Sequence, residues 1–168
     1  MTAEAYVGAS HQCCNYARAL LAETDRVEQH SVLRRAVRRG VLYHLEDAFL
    51  MHLRGLAESY VPGAGASIRT PRELTACLEA AGINSPEAGE VSNLAGDQRS
   101  WLRACLEACN ALHFNDLDRT GPISSGGDIP LYQDRGMKQQ EPSRDLLQGW
   151  VDALSELIDR HCVLMAES

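Results

Sequence analysis

Cys105, Cys109 and His113 recur every four residues, so a helix through them carries two thiols and an imidazole along one side. Thiolate and imidazole at that spacing suit a soft divalent metal, but one helix presents only two ligands to an ion with ease. Cys13-Cys14 and His161-Cys162 are conceivable further donors. No C-x-x-C pair exists, and these cysteines fall where packed helices want small apolar residues. Core packing therefore outweighs a metal or thiol redox sensor built on Cys105, Cys109 and His113. A second set is basic: Arg34, Arg35, Arg38 and Arg39 stand together with no acid among them. Adjacent guanidiniums could grip phosphate or an acidic partner through bidentate contacts. Like charges at i,i+4 repel by a few tenths of a kcal/mol, so an acid is expected beside them. Glu28 and the late acids Asp145, Asp152, Glu156 and Asp159 are the intramolecular candidates.

Arg39 and His44 also show an R-x4-H spacing similar to that of a helical ribonuclease superfamily. The resemblance implies His44 as general base and Arg39 as stabiliser of the phosphorane charge. Five residues span about 500° of helix, so the two side chains diverge by about 140° and cannot converge from one straight helix. They would have to meet partners across a dimer. With His44 between Val41 and Ala48, the simpler expectation is a core histidine with one hydrogen bond. Arg35, Arg38, Arg39 and His44 are the candidate binding residues; no catalytic residue, metal ligand or cofactor is assigned.

Other chemistries fail on spacing. Bundle di-iron sites need Glu-x-x-His on two helices, and Glu4, Glu23 and Glu107 have no histidine three residues later. Glu46-Asp47 and Glu87 with Glu90 are the close carboxylate pairs on helices. Ser124-Ser125-Gly126-Gly127-Asp128 has the composition of a phosphate loop but no following Lys-Ser/Thr. Serine-hydrolase and zinc-protease motifs are absent.

The elements that position these residues read as helices. A first helix is expected from about Thr2 to Val27, with Tyr6, Cys13, Tyr16 or Ala17, Leu20 or Leu21, and Thr24 inward. A second runs without proline from Ser31 to Tyr60, and Leu33, Val37, Val41, His44, Ala48 and Met51 share a face at helical spacing. Gly, Pro and Ser mark 61–69 as a loop. Thr70-Pro71-Arg72-Glu73 is a capping box with proline in the first turn, opening a short helix that stops at Gly82. Ser85-Pro86-Glu87 opens another, to about Gly96. Asp97 or Ser100 caps a helix that turns Trp101, Leu102, Cys105, Leu106, Cys109 and Leu112 inward. From Asn115 the pattern collapses, leaving a long loop at about 115–142 in which Pro122-Ile123, Ile129-Pro130-Leu131 and Tyr132 could pack as a strap. Ser143 caps the last helix, with Leu146 or Leu147, Trp150, Leu154, Leu157 or Ile158, Cys162 and Met165 inward.

At 168 residues the chain fits one domain, 1–168, able to bury a continuous core. Aromatics make up only 5%, so Leu, Ala, Val and Cys must build that core. No window alternates as a half-buried strand does. The expectation is all-α: an up-and-down helical bundle of four main helices plus one or two short ones. A net charge of −7 makes nucleic acid an unlikely partner, although 29–60 is basic, with five arginines against Glu46, Asp47 and Glu58. No secretory signal and no membrane-length apolar run are seen, so thiols are expected reduced and the protein soluble and cytoplasmic.

SHQCCNYARALL at 10–21, VLYHLEDAFLMHLRGLAESY at 41–60, SWLRACLEACNALH at 100–113 and WVDALSELIDRHCVLM at 150–165 together resemble a domain-of-unknown-function family of small all-helical proteins from Pseudomonas and related gammaproteobacteria. The resemblance implies a cytosolic helical protein of this length and assigns no activity or catalytic residue. The expected function is a non-enzymatic helical interaction or regulatory protein, with an unidentified protein partner or a second copy of itself. Tyr6, Tyr43 and Tyr60 are the expected anchors of a dimer.

Overall fold

The computed structural model describes residues 1–27, 31–117 and 141–166. These form α1 (Ala3–Val27), α2 (Ser31–Tyr60), α3 (Pro71–Ala80), α4 (Pro86–Gly96), α5 (Trp101–Leu117) and α6 (Arg144–Ala166), with a 3-10 turn at Gly65–Ser67. Among the described residues there is no strand, and the all-α bundle expected from the sequence is the fold. The loop composition beginning at Asn115 did not stop α5, which continues two residues further. Ser124–Asp128, the strap residues of the long loop and Glu28 lie outside the described residues.

The capping signals operate as read. Thr70 accepts from the Glu73 amide at 3.2 Å while Glu73 accepts from the Thr70 amide at 3.0 Å, with Pro71 in the first turn. Ser85 and Ser143 cap α4 and α6 more simply, accepting from the Ala88 and Leu146 amides at 3.2 Å. Of the two residues proposed for α5, Ser100 is the cap, accepting from the Arg103 amide at 3.0 Å. After α3 the chain reverses through Gly82 at φ 72°, and the Ile83 amide returns to the Leu78 carbonyl.

α1 and α2 pack antiparallel: the Ser10 hydroxyl donates to the Ala48 carbonyl at 2.8 Å, and Gly40 faces Leu20. α6 runs against α1, with His11 near Asp159 and Arg18 near Asp152. Consequently α6 points the same way as α2. The buried side chains of all six helices form one cluster.

The apolar face of α2 is rotated from the sequence expectation. Leu33 is 47% exposed and Val37, His44 and Met51 are only partly buried. Leu42, Leu45, Phe49, His52, Leu53, Leu56 and Ala57 fill the core instead, joined by Val41 and Ala48. α2 touches α1, α3, α5 and α6, so it is buried on more than one side and a single stripe could not fix its rotation. In α1 the surprise is Ser10, fully buried and satisfied by Ala48.

The exit from α2 is held by backbone packing. Glu58 accepts from the amides of Gly63 at 2.9 Å and Gly65 at 3.0 Å, and these bonds hold its carboxyl below the usual carboxylate range. A Cβ at Gly65 would lie 2.8 Å from the Arg54 carbonyl oxygen and 2.8 Å from Tyr6 Cε2. Gly65→Ala should therefore cost about 1–3 kcal/mol, read from the midpoint of guanidinium unfolding. An unchanged midpoint would contradict this close approach.

Candidate functional site

The antiparallel register sets Cys13 and Tyr16 of α1 opposite His44 and Asp47 of α2. His44 and Asp47 are three residues apart and therefore neighbours on one side of the helix. Ligand atoms of Cys13, His44 and Asp47 all lie within 4.8 Å of one another. The Tyr16 ring sits against the imidazole, 5.3 Å between centroids at 50°. His44 Nδ1 is shut off from water and has no hydrogen-bond partner. The core histidine with one hydrogen bond expected at 44 is thus corrected: the ring is half-buried in the α1–α2 seam, with an unsatisfied nitrogen. Asp47 is exposed, which opens the cluster to water. Burial, then the Asp47 charge, pushes the Cys13 thiol up; Cys14, fully buried in the core, is pushed up to about 11, chiefly by burial.

The arginines lie in the N-terminal turns of α2, ahead of His44. Arg35 Nε donates to Glu141 at 2.7 Å, and Arg38 approaches the same carboxylate at 3.8 Å. Arg34 and Arg39 are engaged as well. An internal acid does sit beside the cluster, as the repulsion argument required. It is Glu141, just before α6; of the acids suggested by sequence, Asp145 lies near Arg144, Asp152 pairs with Arg18, Glu156 with Arg160 and Asp159 with His11, while Glu28 lies outside the described residues.

Cys105, Cys109 and His113 do not converge. Both thiols are buried in the core, and Cys109 reaches the Leu42 carbonyl at 3.5 Å. Hydrogen bonding with Cys109 and burial hold the Cys105 thiol far above its ordinary value. His113 is exposed and pairs with Glu46 at 2.8 Å, its ring edge-on to Tyr43. All six cysteines are free thiols.

Sequence reasoning missed a buried polar chain. His52 Nε2 lies 3.0 Å from His161 Nδ1, and His161 Nε2 lies 3.0 Å from Glu90. A carboxylate only accepts, so His161 donates through Nε2; in the tautomer that leaves its Nδ1 bare, that atom accepts from His52 Nε2–H. Burial, helped by the charge of His161 and of His11, drives the His52 pKa down to about 3. On Glu90 the bond from His161 and the Arg160 charge overcome burial and leave the carboxyl below the ordinary range. One turn earlier, buried Glu87 accepts from Tyr60 at 2.8 Å and Ser85 at 2.6 Å, and again these bonds outweigh burial. The signal for His52 was present: a polar residue between Phe49 and Leu56 on an apolar stripe. Its partner could not be read from spacing.

The expected dimer anchors separate. Tyr6 is 4% exposed and belongs to the core, because the 3-10 turn at Gly65 closes over it. The Tyr60 hydroxyl is spent on Glu87. Tyr43 is exposed, as is Tyr16.

Fold and site together define an all-helical bundle protein with a compact polar cluster in the α1–α2 seam and a satisfied histidine pair inside. The chain belongs to the family of unknown function DUF6586, which it matches over residues 8–162. No curated protein and no solved structure matches it. No helix among the described residues is long and apolar enough to cross a membrane.

Proposed function

We propose that this is a non-enzymatic helical interaction or regulatory protein of the gammaproteobacterial cytoplasm, associating with a second copy of itself through the outer side of α2 and the adjoining edges of α1 and α5. The observation that carries the reading is the pair Tyr16 and Tyr43, 47% and 37% exposed, each with its ring against a histidine. Aromatic side chains with a polar tip favour interfaces, and rings already held in place lose little freedom on docking. The arginines are weaker anchors, since Glu141 already faces Arg35 and Arg38. The net charge of −7 argues against nucleic acid as the partner.

The competing reading, an RNA- or nucleotide-directed enzyme, needs Arg39 and His44 to meet partners across a dimer. Against it, the Tyr16 ring stands against His44 and Cys13 and Asp47 lie beside it, all within one chain.

Sedimentation of the whole chain tests the proposal. We expect a concentration-dependent dimer that Tyr43→Ala weakens by about tenfold, as loss of a central aromatic anchor does. A strict monomer at every concentration would remove self-association. RNA or nucleotide turnover that disappears in His44→Ala would replace the reading with the enzymatic one.

A further inference from the structure

We propose that Cys13, His44 and Asp47 form a binding site for a divalent transition-metal ion of the zinc class, clamping α1 to α2. The site goes beyond the function proposed above and does not depend on self-association.

Three donors of different type, from two helices, have atoms within 4.8 Å of one another. Tetrahedral zinc, with bonds of about 2.0–2.3 Å, sets its ligand atoms roughly 3.3–3.8 Å apart. From 4.8 Å, shifts of about 1 Å bring donor atoms to that spacing, a displacement of the size that side-chain torsions supply. His44 Nδ1 gives an independent reason to expect a ligand: it is buried and has no hydrogen-bond partner. A buried unsatisfied nitrogen is costly in any fold, and an ion bound at Nδ1 would satisfy it. The Tyr16 ring restrains the imidazole, and the Ser10–Ala48 hydrogen bond one turn away fixes the register that brings the helices' donors together.

The arrangement is unlike a nucleophilic triad. There the thiol and the carboxylate occupy opposite nitrogens of the imidazole, about 7 Å from each other. Here the Cys13 sulfur and an Asp47 oxygen lie on the same side, within 4.8 Å. An adjacent carboxylate disfavours a thiolate unless a cation stands between them. One thiolate, one imidazole and one carboxylate are donors of the borderline class that selects zinc or cobalt over magnesium or calcium. On binding, the metal takes the sulfur electron pair as the S–H bond breaks, and one proton leaves to water. Three protein ligands leave a fourth position for water, on the side opened by exposed Asp47.

The test is titration of the full-length, tag-free, phosphine-reduced protein with Co2+ alone, followed by competition with Zn2+. We expect one equivalent to produce sulfur-to-cobalt charge-transfer absorption and tetrahedral ligand-field bands, both removed by Zn2+. Cys13→Ser should abolish the charge-transfer band, whereas Cys162→Ser should leave it unchanged. Asp47→Asn, at an exposed position, should weaken Co2+ binding by about tenfold or more while the circular dichroism stays native. The proposal is overturned if the wild-type protein gives no charge-transfer band in excess Co2+, or if the band survives Cys13→Ser. Should Cys13→Ser fail to fold, unchanged affinity in Asp47→Asn overturns it equally.

Discussion

From pH 6.5 down to about pH 5 the protein should lose stability by up to about 1.4 kcal/mol for each pH unit, on account of one buried side chain. In the unfolded chain His52 takes up a proton near pH 6.5, while in the fold it resists protonation until about pH 3. Unfolding in that window therefore gains a proton, and stability falls as pH falls. Above pH 6.5 both states are neutral at this position and its contribution is constant. The groups facing it are His161, bonded to it directly, and His11, whose charge adds to the resistance; Glu90 lies beyond His161. Glu58, Glu87 and Glu90 act lower on the scale. Their folded pKa values are depressed, so what they contribute is present above about pH 4.5 and lost beneath it. Guanidinium unfolding at a series of pH values measures the slope, and His52→Gln should flatten its upper part. A wild-type protein equally stable at pH 6.5 and about pH 5 would show that the His52–His161 pair is not sealed as described.

Leu53→Ala should cost about 2–5 kcal/mol, whereas Leu33→Ala should change stability by less than about 0.5 kcal/mol. The two leucines lie on the same helix, and the first is fully buried while the second is 47% exposed. Truncating Leu53 leaves a void at the centre of the helix that touches α1, α3, α5 and α6. Truncating Leu33 only trims a surface. Chemical unfolding of the two variants side by side decides which face of α2 is the core; equal losses would restore the face read from spacing.

That comparison marks where the legible part of the sequence ends. Helix starts were readable because a cap is a local event: Thr70 and Glu73, or Ser85, or Ser143, satisfy amides within three residues of themselves. The stripe of α6 was readable too, although that helix packs against α1, α2 and α5. α6 shows Leu147, Trp150, Leu154, Leu157 and Ile158 inward, the stripe its spacing gives. The face of α2 was not, because its apolar residues lie all round, Val32 and Leu33 on the exposed side as well as Leu42, Leu45, Leu53 and Leu56 in the core.

The sites follow the same division. Cys105, Cys109 and His113 made an attractive set in one dimension, yet their shared helix side meets the core at one end and solvent at the other. Cys13 with His44 and Asp47, and His52 with His161 and Glu90, join residues far apart in the chain, and no local periodicity encodes such a meeting. By itself, then, the sequence determined the helical class, the number of long helices and most of their caps, all of which depend on contacts within a few residues. Only the tertiary structure decided the rotation of α2, the acid that faces the arginines, and which histidines are paired or left with a bare nitrogen. Those outcomes depend on how helices are laid against each other, and a ring's partner is whatever the neighbouring helix brings to the same depth.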